Sequence, residues 1–267
     1  MMSSQRTFAI VLRQFYLIRG SLSRVVPLFA WVAVDMVLWG FLSWYLNTVA
    51  TPAFNFVPAL LGAVLLWDFF IRIMHGITMA FLEDVWSRNF LNIFATPLSL
   101  GEYVSGLIVS SIATSMLGLG VMLVIATAFK LSLFVYGLMV LPFLLVLFLF
   151  GISLGIFGSA LVLRFGPAAE WFIWPLPALI SPFVGVLYPI TTLPHWMQGV
   201  AHVLPPSYVF EGLRAIVSGG TASGLSLVLG GLLAIGHIFL AYWFFTKVYK
   251  NALRTGLIAR YSAENLG

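Results

Sequence analysis

Four ionisable residues, Asp35, Asp68, Arg72 and His75, lie inside long apolar stretches of this 267-residue sequence. Asp68, Arg72 and His75 follow one another at intervals of four and three residues, so they share one face of a helix. Ionisable groups are costly in hydrocarbon, and those found there are usually paired or functional. The spacing predicts either a structural ion pair between Asp68 and Arg72, with Asp35 as a further partner, or a polar lining or proton relay.

The run Gly-Ile-Ser-Leu-Gly around Ser153 has the spelling of a nucleophile elbow, with His237 as a candidate base. That motif requires an exposed serine at a turn between a strand and a helix, whereas Ser153 lies in a long apolar stretch. Gly151, Gly155 and Ser159 are each four residues apart and instead predict a small-residue stripe for close helix packing. The context therefore favours packing over an intramembrane hydrolase, and no catalytic residue is assigned.

Composition excludes a water-soluble fold, since 61% of the residues are hydrophobic and only 8% are charged. The absence of cysteine excludes disulfides and cysteine-bound zinc. His195 and His202 are seven residues apart, about 10 Å along a helix, which is too far for both to bind one zinc ion. No metal site is predicted. No Gly-Lys-Ser/Thr step of a phosphate loop is present, so the chain is not expected to hydrolyse ATP alone.

The apolar stretches are long enough for membrane-spanning helices, because a hydrocarbon core of about 30 Å requires around 20 residues per span. Helices are expected since lipid cannot satisfy unpaired backbone groups. The sequence predicts an all-α integral membrane protein, with residues 1–267 forming a single transmembrane domain. The six predicted spans are 25–46, 56–82, 102–129, 133–163, 171–190 and 225–248.

The predicted fifth span contains four prolines, which interrupt helical hydrogen bonding and predict an irregular helix that is a candidate moving part. Trp171 and Trp174 stand at one end of this span. They either meet an entering amphipathic molecule or belong to an interfacial aromatic belt. The prolines are Pro175, Pro177, Pro182 and Pro189.

The positive charges predict the orientation of the chain, because Lys and Arg are retained on the cytoplasmic side. They precede the first span at Arg6, Arg13, Arg19 and Arg24 and follow the last at Lys247, Lys250, Arg254 and Arg260. Both termini are therefore predicted to be cytoplasmic, in a cell inner membrane. Residues 1–24 place Phe8, Val11, Phe15 and Leu22 at helical spacing, which predicts an amphipathic interfacial helix. The alternative is a basic tail that only fixes orientation.

Residues 83–97 follow the second span and mix charges with aromatic side chains. They predict a short surface helix in which Asp84 and Arg88, four residues apart, can pair, and which ends before Pro97. Exposed aromatics beside charges indicate a docking surface. The alternative is an ordinary interfacial turn anchored by Trp86.

Residues 191–220 are too polar and too interrupted for a pair of spans. Pro205 and Pro206 divide them into two pieces of roughly a dozen residues, a length typical of re-entrant or interfacial helices. We expect a helical hairpin that enters the bilayer from outside, surrounded there by protein or a water-filled cavity.

Both irregular segments resemble those of type-2 ABC exporter permeases. The inner motif comprises acidic residues, Arg88, Asn89 and then ATPLSLGEYVSG, and the outer motif is YPITTLPHWMQGVAHVLPPSYVFEGLRAIVSGG. With six spans and an amphipathic amino-terminal helix, the resemblance extends over essentially the whole chain. It implies that 83–94 is a coupling helix inserted into a separate ATPase, with 164–170 as a smaller second contact. The implied ATPase-docking residues are Glu83, Asp84, Trp86, Arg88 and Asn89, and those of the outer hairpin are Pro194, Pro205, Pro206, Glu211 and Arg214.

The resemblance further implies that two permease copies dimerise in membrane lipid and dock two ATPase subunits, which bind ATP and Mg. The chain itself is expected to bind no cofactor and no nucleic acid. The exported substrate would be amphipathic or hydrophobic, such as a drug, a lipid or a lipid-linked glycan. The alternative function is an ion-coupled secondary transporter that uses Asp35, Asp68, Arg72 and His75 and depends on an ion gradient.

Overall fold

The structure is a computed structural model that describes residues 3–49, 55–87 and 89–256. The first helices are α1 (Ser4–Arg19), α2 (Leu22–Val49), α3 (Gly62–Trp86), α4 (Phe90–Phe94) and α5 (Leu100–Ala128). The later helices are α6 (Val140–Phe165), α7 (Glu170–Ile173), α8 (Leu176–Val184), α9 (His195–Val203), α10 (Pro205–Val217) and α11 (Gly224–Arg254). A π-helical turn at Val57–Leu61 leads into α3, and 3₁₀ turns occupy Leu133–Met139, Gly166–Ala169 and Ile190–Thr192.

Within the described ranges, five helical segments are long and apolar enough to cross a bilayer. They correspond to the first, second, third, fourth and sixth predicted spans, so long apolar helices are confirmed at these places. The chain is a multi-pass membrane protein. The segments are Phe29–Val49, Val57–Trp86, Leu100–Ala128, Leu133–Phe165 and Gly224–Arg254.

The predicted fifth span is not one continuous helix. It contains α7 and α8, separated by a turn at Trp174 and Pro175. Gly185 ends α8 in the left-handed conformation, with a φ of 64°, which glycine adopts without a steric penalty. The irregularity expected from the prolines is therefore confirmed. That this fifth predicted span crosses the membrane remains a prediction.

α3 is the central helix of the bundle. In its most apolar window 67% of the residues are buried, against 22–28% in the other four long segments. It packs between α5 and α6, and α6 also packs along α11. The side chains of α3 are therefore mostly enclosed by protein, so a charged group on this helix faces other helices or a cavity.

Close contact between α3 and α6 depends on the small residues of α6. A Cβ added at Gly155 would lie 2.8 Å from Ile77, and one at Gly151 would lie 3.0 Å from the α3 side chain opposite. The Thr78 hydroxyl donates a hydrogen bond to the Gly155 carbonyl at 3.1 Å. Ser159 is also buried along this stripe. The predicted small-residue stripe is thus confirmed as a helix contact.

α1 packs along α5 rather than extending freely from the bundle. Ile10 is buried, and a Cβ at Gly106 would lie 2.6 Å from it. Phe8 and Phe15 point away from this contact and are 62% and 54% exposed. The expectation of one helix over residues 1–24 is wrong at its end, because Leu22 begins α2 and does not share the apolar face of α1.

The outer segment forms two helices, as its prolines predict. Pro194 precedes α9, and Leu204, in extended conformation, joins α9 to α10. α10 begins with Pro205 and Pro206, since proline is tolerated in the first turn of a helix. Entry of this pair into the bilayer remains a prediction.

Glu211 and Arg214 tie α10 to the end of α8. The Glu211 carboxylate accepts a hydrogen bond from the Ile190 amide at 2.9 Å and one from Arg214 at 2.7 Å. Arg214 also donates to the Gly185 carbonyl at 2.6 Å. This pair of charges therefore fixes the turn that follows α8 against the outer segment.

Candidate functional site

A cavity of about 800 Å³ lies between α2, α3 and α5, with Trp174 at its wall. Asp35 from α2 and Asp68, Arg72 and His75 from α3 line it together. Its volume falls in the range of about 300–1,000 Å³ that is typical of sites for small molecules. The structure thus brings the four ionisable residues singled out in the sequence to one cavity.

The predicted ion pair between Asp68 and Arg72 is not formed in the described part of the chain. Asp68 Oδ2 and Arg72 Nε are both buried, and neither atom has a hydrogen-bond partner among the described residues. The same holds for His75 Nε2. Buried polar atoms without partners are uncommon because their desolvation is uncompensated. The arrangement therefore favours the polar lining over the structural clasp.

The reason for the missing ion pair lies in the neighbouring helix. A Cβ at Gly118 of α5 would lie 2.8 Å from Arg72 Nη1 and 3.1 Å from Cζ. The guanidinium of Arg72 therefore extends across to the surface left open by Gly118, instead of along α3 to Asp68. Helical spacing places two residues on one face, but a long side chain such as arginine can reach a different helix.

Two tryptophans supply the aromatic part of the cavity wall. Trp31 and Trp174 are 70% and 55% exposed, and the His75 ring lies 4.7 Å from that of Trp174. Trp174 Nε1 donates to Glu170 at 3.1 Å, which orients the indole. Trp31 is not among the residues predicted from the sequence, although it precedes Asp35 by one helical turn and so shares its face.

A second charged group lies at the carboxyl-terminal end of α3, where Arg13, Asp84 and Tyr103 form what we call the α3-end cluster. Arg13 Nη1 donates to Asp84 Oδ2 at 3.0 Å, and Nη2 donates to Oδ1. The Tyr103 hydroxyl donates to Oδ2 at 2.7 Å. Asp84 and Tyr103 are fully buried. Two-point binding of a carboxylate by arginine is among the stronger polar contacts in proteins, and here it joins α1, α3 and α5.

The electrostatics of Arg13 are consistent with a persistent ion pair. Partial burial acts against its charge, but the hydrogen bonds that Arg13 donates to Asp84 and the attraction of that carboxylate raise the pKa of Arg13 above its ordinary value. Arg13 therefore stays protonated over the physiological pH range.

A further tie joins the start of α1 to the start of α5. The Glu102 carboxylate accepts hydrogen bonds from the Ser3 amide at 2.7 Å and from the Ser99 amide at 2.8 Å. Ser99 and Glu102 form a capping box. Arg6 lies 3.7 Å from Glu102 and also donates to the Pro97 carbonyl. α1 is thus tied at both ends of its contact with α5.

The segment predicted as one short helix over 83–97 is divided in the structure. α3 continues to Trp86 and ends at Ser87, and α4 begins only at Phe90. The Asn89 amide donates to the Asp84 carbonyl at 3.1 Å and so closes the turn between the helices. Residues 83–86 thus belong to α3 and 90–94 to a separate short helix, and the coupling role of the segment stays a prediction.

The five docking residues implied by resemblance differ in exposure. Trp86 is 53% exposed, whereas Glu83 and Asn89 are partly buried. Asp84 is buried against Arg13, and its assignment to a docking surface stays a prediction. Arg88 lies outside the described residues, as does its predicted pairing with Asp84.

The second predicted contact, 164–170, lies at the end of α6. Gly166 ends the helix with a φ of 68°, and a 3₁₀ turn follows. Arg164 and Phe165 are exposed. Contact of this connection with an ATPase stays a prediction.

The hydrolase hypothesis fails on geometry. The Ser153 hydroxyl is buried and donates to the Phe150 carbonyl of its own helix at 2.7 Å. His237 Nδ1 lies 2.8 Å from the Leu233 carbonyl of α11. A nucleophile and its base must hydrogen-bond each other, and no such bond joins Ser153 to His237 among the described side chains.

The fold is that of a multi-pass helical membrane protein, with a cavity between α2, α3 and α5. The sequence profile of the ABC-2 type transporter family matches residues 5–217, and the chain belongs to this family. The match covers α1 to α10, and α11 follows it. The chain is therefore a transmembrane permease subunit of an ABC transporter, a kind of subunit that is generally not catalytic itself. The family implies association with an ABC ATPase. No curated protein matched the chain.

Proposed function

We propose that this chain is the permease half of an ATP-driven exporter that moves an amphipathic or hydrophobic substrate out of the cytoplasm or the inner leaflet. One observation carries the proposal: the same mostly buried helix, α3, lines the cavity and ends within the segment 83–97, where the ATPase would dock. Asp68 and Trp86 are 18 residues apart on α3, about 27 Å at 1.5 Å per residue. A displacement of the inner end of α3 is thus transmitted directly to the cavity wall.

The partner in this proposal is a separate ATPase that binds ATP and Mg and docks at the segment 83–97. Trp86 offers an exposed aromatic side chain there, of the type enriched at interface centres. The polar contacts of the α3-end cluster and of Glu102 join α1, α3 and α5 to one another behind that surface. Force applied at the segment would therefore move three helices together.

Two permease copies would enclose the pathway in a cell inner membrane, with both termini cytoplasmic. Arginines of α1 and lysines at the end of α11 support this orientation. α7 and α8 would together make the sixth crossing, and α9 and α10, of 9 and 13 residues, would enter the bilayer from outside. Substrates in this class include drugs, lipids and lipid-linked glycans, and the apolar cavity wall suits their apolar parts.

Family membership favours this function over the ion-coupled carrier that the four cavity residues also suggested. The two functions differ in their energy source, and reconstitution separates them. The permease alone, in vesicles with an imposed proton or sodium gradient, should not accumulate solute. Accumulation without an ATPase would overturn the exporter proposal.

Affinity purification in mild detergent tests the docking site. The wild-type chain should retain an ABC ATPase, and Trp86→Ala should release it at least in part. Trp196→Ala is the matched control, because Trp196 is 66% exposed on α9, in the segment predicted to lie outside. Equal retention by both variants would remove Trp86 from the docking surface.

A further inference from the structure

We propose that the cavity between α2, α3 and α5 recognises cationic amphiphiles, that is, organic cations with an apolar body. The inference deepens the proposed function, since it names the substrate class of the same cavity. It rests on the charges of the lining, on the missing partner of one carboxylate and on the aromatic wall.

Among the described side chains, the charged groups that line the cavity are two carboxylates, Asp35 and Asp68, and one guanidinium, Arg72. With His75 neutral, this described lining has a net formal charge of minus one. Apolar surroundings strengthen electrostatic interactions because their dielectric is low. A monovalent cation would balance the lining, whereas an anion would add to its excess negative charge.

Asp68 is the group most available to a ligand. Its Oδ2 atom is buried and has no hydrogen-bond partner among the described residues. Arg72, on the same helix face, extends to Gly118 on α5, and no ion pair to Asp68 is found in the part of the chain that the structure describes. A half-buried carboxylate in this state is stabilised by a cation that enters the cavity.

The remaining wall suits the apolar part of such a ligand. Trp31 and Trp174 present exposed indole rings, and Ile71 and Met79 add apolar surface. Indole faces attract cations through the ring quadrupole, and they also pack against hydrocarbon. Carboxylates and indoles around one cavity therefore favour a charged head attached to an apolar body.

The test uses tetraphenylphosphonium and tetraphenylborate, which have nearly the same shape and opposite charge. Binding to the permease in complex with its ATPase, in nanodiscs, is measured by equilibrium dialysis, and empty nanodiscs correct for partitioning into lipid. We expect phosphonium to bind about tenfold or more tightly than borate after this correction. Equal binding, or tighter borate binding, would overturn the substrate class.

Substitutions of Asp68 and Arg72 separate ligand recognition from a structural role. If the two charges act on the ligand, removal of the carboxylate and removal of the guanidinium should change phosphonium binding in opposite directions. Asp68→Asn should weaken phosphonium binding, Asp68→Glu should restore it, and Arg72→Gln should strengthen it. Glu211→Gln removes a carboxylate from the outer segment and should leave binding unchanged. If Asp68→Asn and Arg72→Gln shift phosphonium binding in the same direction, the charge argument is wrong.

The same preparations report separately on the proposed function. A complex that keeps its ATPase but shows no preference for phosphonium contradicts only the substrate class. Loss of the ATPase from the wild-type chain contradicts the exporter assignment, whatever the cavity binds.

Discussion

α3 carries charged side chains in two places, and the structure satisfies them differently. At the end of the helix, Asp84 accepts hydrogen bonds from Arg13 and Tyr103. Beside the cavity, Asp68 and Arg72 share one helix face yet form no ion pair within the described residues. Paired buried charges join helices, whereas unpaired ones around a cavity are available to a ligand. The comparison therefore separates a structural charge from a binding charge on one helix.

The largest effect is expected from removal of the Asp84 carboxylate. Asp84→Ala leaves Arg13 without its partner in a mostly buried site, which typically costs about 3–5 kcal/mol. Thermal unfolding of the detergent-solubilised protein measures the loss. A melting temperature equal to that of the wild type would show that the α3-end cluster does not hold α1, α3 and α5 together.

A smaller loss is expected when one donor to the same carboxylate is removed. Tyr103→Phe deletes the hydroxyl that donates to Asp84, and hydrogen bonds to charged groups contribute about 1.5–3 kcal/mol. Tyr45→Phe is the control, since Tyr45 is 63% exposed on α2. Thermal unfolding should place Tyr103→Phe between Asp84→Ala and this control. If Tyr103→Phe unfolds with the control, the hydroxyl does not support the cluster.

The smallest effect on stability is expected at the cavity. Asp68→Asn removes a half-buried charge that has no ion pair among the described residues, so the melting temperature should stay the same or rise slightly. A loss comparable to that of Asp84→Ala would mean that Asp68 is a structural charge after all. That result would abolish the distinction between the two ends of α3.

Much of this architecture follows from local features of the sequence. Apolar length predicts the five long segments, and the spacing of Gly151 and Gly155 predicts the contact between α6 and α3. The gathering of Asp68, Arg72 and His75 follows from helical periodicity alone. The prolines likewise predict the interruption between α7 and α8.

The sequence does not predict which side chains contact each other when they are distant along the chain. Asp84 binds Arg13, which is 71 residues away and which no local spacing in the sequence indicates. Arg72 likewise extends to Gly118 rather than to its neighbour on the same helix. Local spacing ranks candidates on one helix, and only tertiary packing decides which helix supplies the contact.

Gly118, which is uncharged, influences where the positive charge of Arg72 lies in the cavity. A methyl group at this position would come within 2.8 Å of Arg72 Nη1, and the flexible arginine, not the helices, would move aside. The size of one uncharged side chain on α5 thus sets where the positive charge sits. Ligand preference can therefore be retuned from the neighbouring helix while every acid and base keeps its identity.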